Sequence, residues 1–381
     1  MNSLTVALDM SCAAETPMTG VGYAALFQIQ ALARLHPELD LRIFATGDRH
    51  AVPMLSGKIP SATREAIYGH SRLLKYYAWT RFSWPPIEWF SGPARIAHNL
   101  CHQTPAASKA VRVVTVHDLS CYRVPETHTP RTIDVQKTLL RQCAREADII
   151  VTVSEHCKQE MMDILNVPAD RIRAIPNGVD NTEFAEDFGP EFLSETLRRI
   201  GVSGPYFIHL GTIEPRKNLV RLIAAYVHAR ERFPDLPALV LAGKRGWKSE
   251  STFDAIETQS RNGSVLHAGY LSRREAVALL KGAHACLYPS LYEGFGLPVL
   301  EAMAAGTPVL TASSSSLPEV AGSAAVYVDP LSTESIMEGI CTMWKDSNGN
   351  ANRSAMGLKR AYELTWDASA RQLAACYREI A

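Results

Sequence analysis

At 381 residues the chain is longer than one hydrophobic core usually supports, so two domains of similar size are expected. Hydrophobic residues make up 46% of it, and 39 Lys and Arg balance 39 Asp and Glu. That balance excludes a globally basic surface for nucleic acid and confines electrostatic work to local clusters.

Cys12, Cys101, Cys121, Cys143, Cys157, Cys286, Cys341 and Cys376 include no C-x-x-C pair of the kind that holds zinc or a redox dithiol, so reduced thiols are expected. The first ten residues lack a basic region followed by an apolar run. No stretch reaches the roughly 18 apolar residues of a membrane span. The expectation is a cytoplasmic protein, either soluble or peripheral at the inner face of a membrane.

In chain order, short β-branched apolar runs alternate with longer helix-like segments, the pattern of parallel sheets covered on both faces. Strands are predicted at Thr5–Leu8, Leu41–Ala45, Ile96–Asn99, Val111–His117, Ile149–Ser154 and Ile172–Pro176. Pro176, Asn177 and Gly178 mark a chain reversal, giving a first domain over 1–176 and a second over 177–361. The second repeats the plan at Tyr206–Gly211, Ala238–Ala242, Val265–Gly269, Ala285–Pro289, Pro308–Thr311 and Ala325–Val328. The serine run Ser313–Ser316 reads as a loop. Residues 362–381 read as one amphipathic helix whose Trp366 and Tyr377 pack back on the first domain.

Open parallel sheets bind ligands beyond the carboxyl ends of their strands, where helix N-termini converge and free amides suit anions. Thr19-Gly20-Val21-Gly22 follows the first strand and opens a helix, so it is either a phosphate turn or a plain tight turn. His117 and Asp118 end a buried strand, as a pair at a site or as a core histidine held by its neighbour. In the second half, Gly211-Thr212-Ile213-Glu214-Pro215-Arg216-Lys217-Asn218 ends a strand and opens a helix. Cations beside the positive end of a helix dipole are unfavourable unless an anion lies between them, so Arg216 and Lys217 read as diphosphate ligands, the alternative being a solvated basic turn.

The most informative stretch is Pro289–Glu301. Gly294 and Gly296 let backbone approach a ligand, and Pro298 suits a first helical turn. Glu293 before the helix and Glu301 within it stand eight residues apart and can grip two parts of one extended ligand. A helix cap is the plain alternative. It would leave Glu301 unpaired against the sheet, which is costly.

These residues resemble glycosyltransferase family 4, retaining enzymes of the GT-B fold that include bacterial mannosyltransferases. Glu293 and Glu301 are similar to that family's E-x7-E motif, and the likeness runs on through Leu317-Pro318-Glu319-Val320. Further matches lie at Thr19–Gly22, Val116–Asp118, Asn177–Asp180, Gly211–Asn218, Gly243–Trp247 and Gly269–Leu271, so the resemblance spans nearly the whole chain. It implies an α/β GT-B architecture, two Rossmann-like doubly wound domains facing across a cleft.

The resemblance also implies site roles. Glu293 accepts hydrogen bonds from the transferred sugar, and Gly294, Phe295, Gly296 and Leu297 present amides to sugar and phosphate. Glu301 holds the ribose, and Arg216 and Lys217 neutralise the leaving diphosphate with help from the amides of Gly20, Val21 and Gly22. His117 lies beside the sugar, and Lys244, Tyr270 and Leu271 line the nucleobase side. Many relatives carry Arg where this chain has Thr212, which shifts leaving-group charge onto Arg216 and Lys217. No Asp-x-Asp occurs, so neither a metal nor another cofactor is expected.

The implied reaction is retaining transfer of a hexose, with mannose from GDP-mannose favoured, to a saccharide or lipid-linked saccharide in surface polysaccharide assembly. A UDP-sugar donor and a GT-B nucleotide-sugar 2-epimerase are the alternatives, while a dinucleotide dehydrogenase fails for want of a full G-x-G-x-x-G. Residues 72–90 concentrate aromatics with Arg72, Lys75 and Arg81, which suits either a membrane interface meeting a lipid-linked acceptor or ordinary core helix and loop.

Overall fold

The alternating apolar runs become two parallel sheets in a computed structural model, which describes residues 3–15, 18–47, 57–59, 64–68, 72–260 and 263–381. The first sheet has seven strands: β1 (Thr5–Asp9), β2 (Asp40–Thr46), β3 (Arg64–Tyr68), β4 (Ile96–Asn99), β5 (Val111–Val116), β6 (Ile149–Thr152) and β7 (Ile172–Ala174). Their order is β3-β2-β1-β4-β5-β6-β7. The second has six: β8 (Tyr206–Leu210), β9 (Ala238–Ala242), β10 (Val265–Gly269), β11 (Ala285–Tyr288), β12 (Val309–Ala312) and β13 (Ala325–Val328), in the order β10-β9-β8-β11-β12-β13. All twelve expected strands sit within a residue or two of their predicted bounds, and His117, Ser154 and Pro176 fall just beyond their strand ends. The shortest, expected at Ile172–Pro176, keeps three residues.

Among the described residues, β3 is the one strand that the apolar pattern missed. It sits at the sheet edge, paired only with β2, and its Arg-Glu start breaks the apolar run by which buried strands are recognised. The helices cover both faces, and in the second sheet Leu222, Ile223, Ala225 and Tyr226 of the Leu219–Arg232 helix pack with Ile336 and Ile340 of the Thr333–Lys345 helix over Phe207 and Leu239.

The chain divides into two compact units, 1–119 with 131–178 and 364–381, and 120–130 with 179–363. Residues 120–130, expected within 1–176, group with the second unit. Trp247 supplies the reason: its Nε1 donates to the Thr127 carbonyl at 2.8 Å and its ring stacks on His128, while Lys248 Nζ donates to the Glu126 carbonyl at 2.9 Å.

The expected single helix over 362–381 is two. One helix, Ser347–Glu363, ends with Tyr362 exposed, and a new one, Trp366–Ile380, starts under a Thr365 cap whose side chain accepts from the Ala368 amide. The second belongs to unit 1, where Ser369 accepts from Gln28 Nε2 at 2.8 Å and Tyr377 meets His98 at 2.5 Å.

In each sheet the strand order runs outward in one direction and then restarts in the other, between β1 and β4 in unit 1 and between β8 and β11 in unit 2. Connections leave such a switch point on opposite faces, so a crevice opens beyond the carboxyl ends of its two strands.

Candidate functional site at the sheet switch points

In unit 2 the loops after β8, β11 and β12 converge because their strands are neighbours. After β8, Gly211 takes φ +153 and a 3-10 turn over Pro215–Lys217 ends in left-handed Asn218, whose Nδ2 donates to the carbonyls of Pro289 (3.0 Å) and Pro330 (2.7 Å). Asn218 thereby pins the Arg216–Lys217 turn to the loop carrying Glu293. Gly243, at the end of β9, is required by crowding: a Cβ there would lie 1.8 Å from the Gly211 carbonyl oxygen.

At the centre Glu293 bridges both cations. Its Oε1 accepts from Lys217 Nζ at 2.6 Å and its Oε2 from Arg216 at 2.6 Å. Arg216 also binds Glu214 at 2.8 Å and the Tyr292 carbonyl at 2.9 Å. Tyr288, the last residue of β11, accepts from Lys217 at 2.7 Å and donates to Glu293 at 3.1 Å. The Glu293 backbone is fixed as well, its amide donating to Ser315 Oγ at 3.1 Å and its carbonyl accepting from Ser316 Oγ at 2.9 Å. The loop over Ser313–Ser316 is thus part of the site.

Burial works to raise the Glu293 carboxyl, but the facing Arg216 and Lys217 charges overcome it and bring it down to about 2. Burial, reinforced by Arg216, pulls Lys217 below the usual lysine range, and burial pushes Tyr288 well up. A carboxylate, an ammonium and a neutral phenol therefore share one dry pocket, the arrangement in which a fixed charge acts most strongly on a bound anion.

Beneath lies His209, wholly buried, its ring parallel to Tyr288 at 5.0 Å. Its Nδ1 donates to the Leu287 carbonyl at 3.0 Å, and burial draws it down to about 4, so it is neutral. Among the described residues its Nε2 has no partner, and it borders the space above Gly211 together with Lys217 and Tyr288. His209 and Tyr288 were not singled out from sequence; a histidine and a tyrosine inside otherwise apolar buried strands were the available signal.

Glu301 does not join this cluster. It pairs with Arg273, which also grips Glu183 through two bonds of 2.7 and 2.8 Å. Its Oε2 has no protein partner among the described residues, so it can still accept. Gly296 caps the Leu297–Ala304 helix at φ +105 with no side-chain cap, while Gly294 and Phe295 are buried and Leu297 half-buried. Thr212 is half-buried, Lys244 holds the β8 loop through its carbonyl, which accepts from Ile213, and Tyr270 is exposed beside buried Leu271.

In unit 1, His117 follows β5. Its amide donates to His102 Nε2 at 2.9 Å, and its own Nε2 donates to the Leu100 carbonyl at 2.8 Å. Burial, then the neighbouring His102, draws it down to about 4, so at neutral pH it is an uncharged ring with a lone pair on Nδ1. Gly20 and Val21 open the Gly20–Leu35 helix as expected. The Gly22 amide, expected to face phosphate, donates instead to the Thr19 cap at 3.4 Å, and a Cβ on Gly22 would lie 2.6 Å from the Cys12 carbonyl oxygen. Gly22 serves packing.

The aromatic segment divides in two. Trp79 and Ile87 are core, packed with Phe44, whereas Leu73, Leu74, Tyr77, Phe82, Trp84 and Trp89 are exposed; the side chain of Arg72 lies outside the described residues.

Two family models match the chain: Glycosyltransferase Family 4 over residues 20–183 and Glycosyl transferases group 1 over residues 198–360. The chain is 28% identical over 390 residues to the O-antigen chain mannosyltransferase B of Escherichia coli, covering 95% of this chain and 96% of that one. Among solved structures it is similar to Anabaena HepE, crystallised with UDP and glucose, at TM-score 0.75 and 15% identity over 99% of this chain and 100% of that one. It is also similar to WaaG, a glycosyltransferase involved in lipopolysaccharide biosynthesis, at TM-score 0.73 and 16% identity over 98% and 99%. These structures share the GT-B fold of the two units.

Because Glu293 titrates in the folded chain at about 2 rather than 4.5, the stabilisation from its ion pairs is present above about pH 4.5 and is lost as pH falls toward 2. Glu293→Gln is expected to cost roughly 3–5 kcal/mol at pH 6, the usual loss when one partner of a buried pair is removed. The gap should narrow by about 1 kcal/mol at pH 3.5. Urea unfolding at both pH values checks this, and an equal gap at the two would contradict the assigned ionisation.

Proposed function

This chain belongs to glycosyltransferase family 4 and is a glycosyltransferase; from that premise we propose that it transfers mannose from GDP-mannose, with retention, to a saccharide or lipid-linked saccharide of a surface polysaccharide. The observation that carries the reading is the buried Arg216–Lys217–Glu293 cluster at the β8/β11 switch point. The end-to-end likeness to an O-antigen mannosyltransferase supports the choice of sugar.

Arg216 and Lys217 bind the diphosphate, and Glu293 accepts from hydroxyls of the transferred sugar. Glu301 takes the ribose hydroxyls through its second oxygen, and Lys244, Tyr270 and Leu271 flank the base. In the reaction the bond from C1 of the sugar to the diphosphate oxygen breaks, its electron pair leaving with the diphosphate. An oxygen of that diphosphate takes the acceptor hydroxyl proton as the new C1–O bond forms on the same face. His117, neutral with an open lone pair, contacts the sugar.

Purified protein incubated with acceptor extracts and either GDP-mannose or UDP-glucose, scored by product mass, tests this reading. Hexose addition from GDP-mannose is expected, with no altered donor when acceptor is omitted. Lys217→Met and Glu293→Ala should lower kcat/KM by on the order of 100-fold or more. Transfer from UDP-glucose alone would overturn the donor, and full activity in both His117→Ala and Glu293→Ala would overturn the site.

We further propose that the exposed Leu73, Leu74, Phe82, Trp84 and Trp89 meet a membrane interface carrying a lipid-linked acceptor, since aromatics with nearby Arg81 suit that boundary. Among the described residues no helix is long and apolar enough to cross a membrane. Co-sedimentation with anionic vesicles should fall at least fivefold in the Trp84→Ala, Trp89→Ala double variant, and equal binding by parent and variant would remove this contact.

A further inference from the structure

His117 is held at two places by one loop, residues 100–103 after β4, which runs beside the end of β5. The Leu100 carbonyl accepts from His117 Nε2 at 2.8 Å and so fixes the ring tautomer, while His102 Nε2 accepts from the His117 amide at 2.9 Å and so fixes the backbone. The His102 amide in turn donates to the Thr115 carbonyl at 3.0 Å. In a parallel ladder the amide and carbonyl of one residue bond the carbonyl and amide of two alternate residues on the next strand. His102 makes the first of these bonds, to Thr115, with its backbone, and the second, from His117, with its ring.

That exchange lets the chain leave the sheet without orphaning a buried amide. The Gln103 amide donates back to the Cys101 carbonyl, closing a three-residue turn around His102, whose φ is +28. The His102 carbonyl, released from the ladder, accepts from Cys143 Sγ at 2.8 Å, and burial pushes that thiol up to about 12, so it stays a donor. Burial also holds the His102 ring below the usual histidine range, against the pull of Asp118, so it is neutral, with its hydrogen on Nδ1 and its lone pair on Nε2. The same turn borders a cavity of about 870 Å³ at the unit 1 switch point, and so joins that crevice to the seat of His117. Asparagine suits a positive φ as well as histidine does. What histidine adds here is an acceptor one bond further from the backbone.

We propose that His102 is a positioning residue whose ring acceptor sets His117 in place beside the transferred sugar, so that the site needs an acceptor at a histidine's reach and not merely a residue that tolerates the turn. The inference rests on the glycosyl-transfer reading, in which His117 contacts the sugar.

Two amide side chains separate reach from strain. Glutamine carries an oxygen as many bonds from the backbone as His102 Nε2, and asparagine one bond fewer, while asparagine is the better fit to positive φ. Transfer is measured with acceptor extract and whichever of GDP-mannose and UDP-glucose the parent uses. His102→Gln should keep kcat within about threefold of the parent, whereas His102→Asn should lower it by about tenfold or more while KM for the nucleotide sugar changes by less than about twofold. A purely structural role predicts the reverse order, so His102→Asn as active as His102→Gln, or more active, would overturn the proposal. In the parent at neutral pH, nitrogen-15 spectra of labelled histidine rings, assigned through bonds to their own backbones, should show His102 protonated on Nδ1 alone and His117 on Nε2 alone. A hydrogen on His102 Nε2 would overturn the proposal, and this measurement decides if a variant does not fold. No transfer by the parent from either nucleotide sugar, or full activity in His117→Ala, counts against the glycosyl-transfer reading instead, and the ring tautomers then decide the His102 contact on their own.

Discussion

A carboxylate holding two cations out of water organises the second unit. Glu293 is bonded at once to Arg216 and Lys217; Arg216 keeps a second carboxylate in Glu214, whereas buried Lys217 has its ion pair in Glu293. The rest of the loop structure follows from keeping that contact in register. Asn218 is left-handed so that its amide can tie the cation turn to Pro289, Gly243 has no side chain so that β9 can pass the Gly211 carbonyl, and Ser315 and Ser316 hold the Glu293 backbone from the β12 side. Low dielectric makes each charge count for more, which is what transfer of a negatively charged leaving group requires.

Unit 1 repeats the device with a different outcome. Asp9 and Lys75 form a buried pair at its own switch point, but there a single lysine is shared among a carboxylate, a hydroxyl and two aromatic rings. In unit 2 two cations share one bridging carboxylate, with Glu214 at Arg216, and a helix N-terminus lies beyond Gly296. The two switch points thus differ in how their buried charges are shared, although both grow from the same sheet topology. His117 stands one strand away from the unit 1 cavity and is coupled to it through His102, whose ring takes the His117 amide and whose φ of +28 marks strain of the kind found at functional positions.

Much of this was legible in the sequence where a residue type conflicted with its surroundings. Cations at the start of a helix, glycines flanking an acid, and acids eight apart each announce a ligand, so Arg216, Lys217, Glu293 and Glu301 could be singled out. Residues that agree with their surroundings were silent. Tyr288 and His209 sit in apolar strands where an aromatic ring is the default, and Asp9 lies 66 residues from the lysine that gives it meaning. The Gly22 turn stayed open between an anion site and a plain tight turn because glycine before a helix serves phosphate contact and close packing equally well, and the Cys12 carbonyl adds that packing by itself already requires this glycine. The break at Leu364 and Thr365 was hidden because the apolar period continues through it, and the grouping of residues 120–130 depends on Trp247, more than a hundred residues away.

Calorimetric titration of the full chain with a nucleoside diphosphate, and separately with the parent nucleoside, tests the role of the Glu293-bridged cations most directly. The diphosphate is expected to bind at least about 100-fold more tightly, a difference of roughly 2.7 kcal/mol, and Lys217→Met should erase most of that difference. Equal affinities for the two ligands, or an unchanged ratio in Lys217→Met, would contradict it.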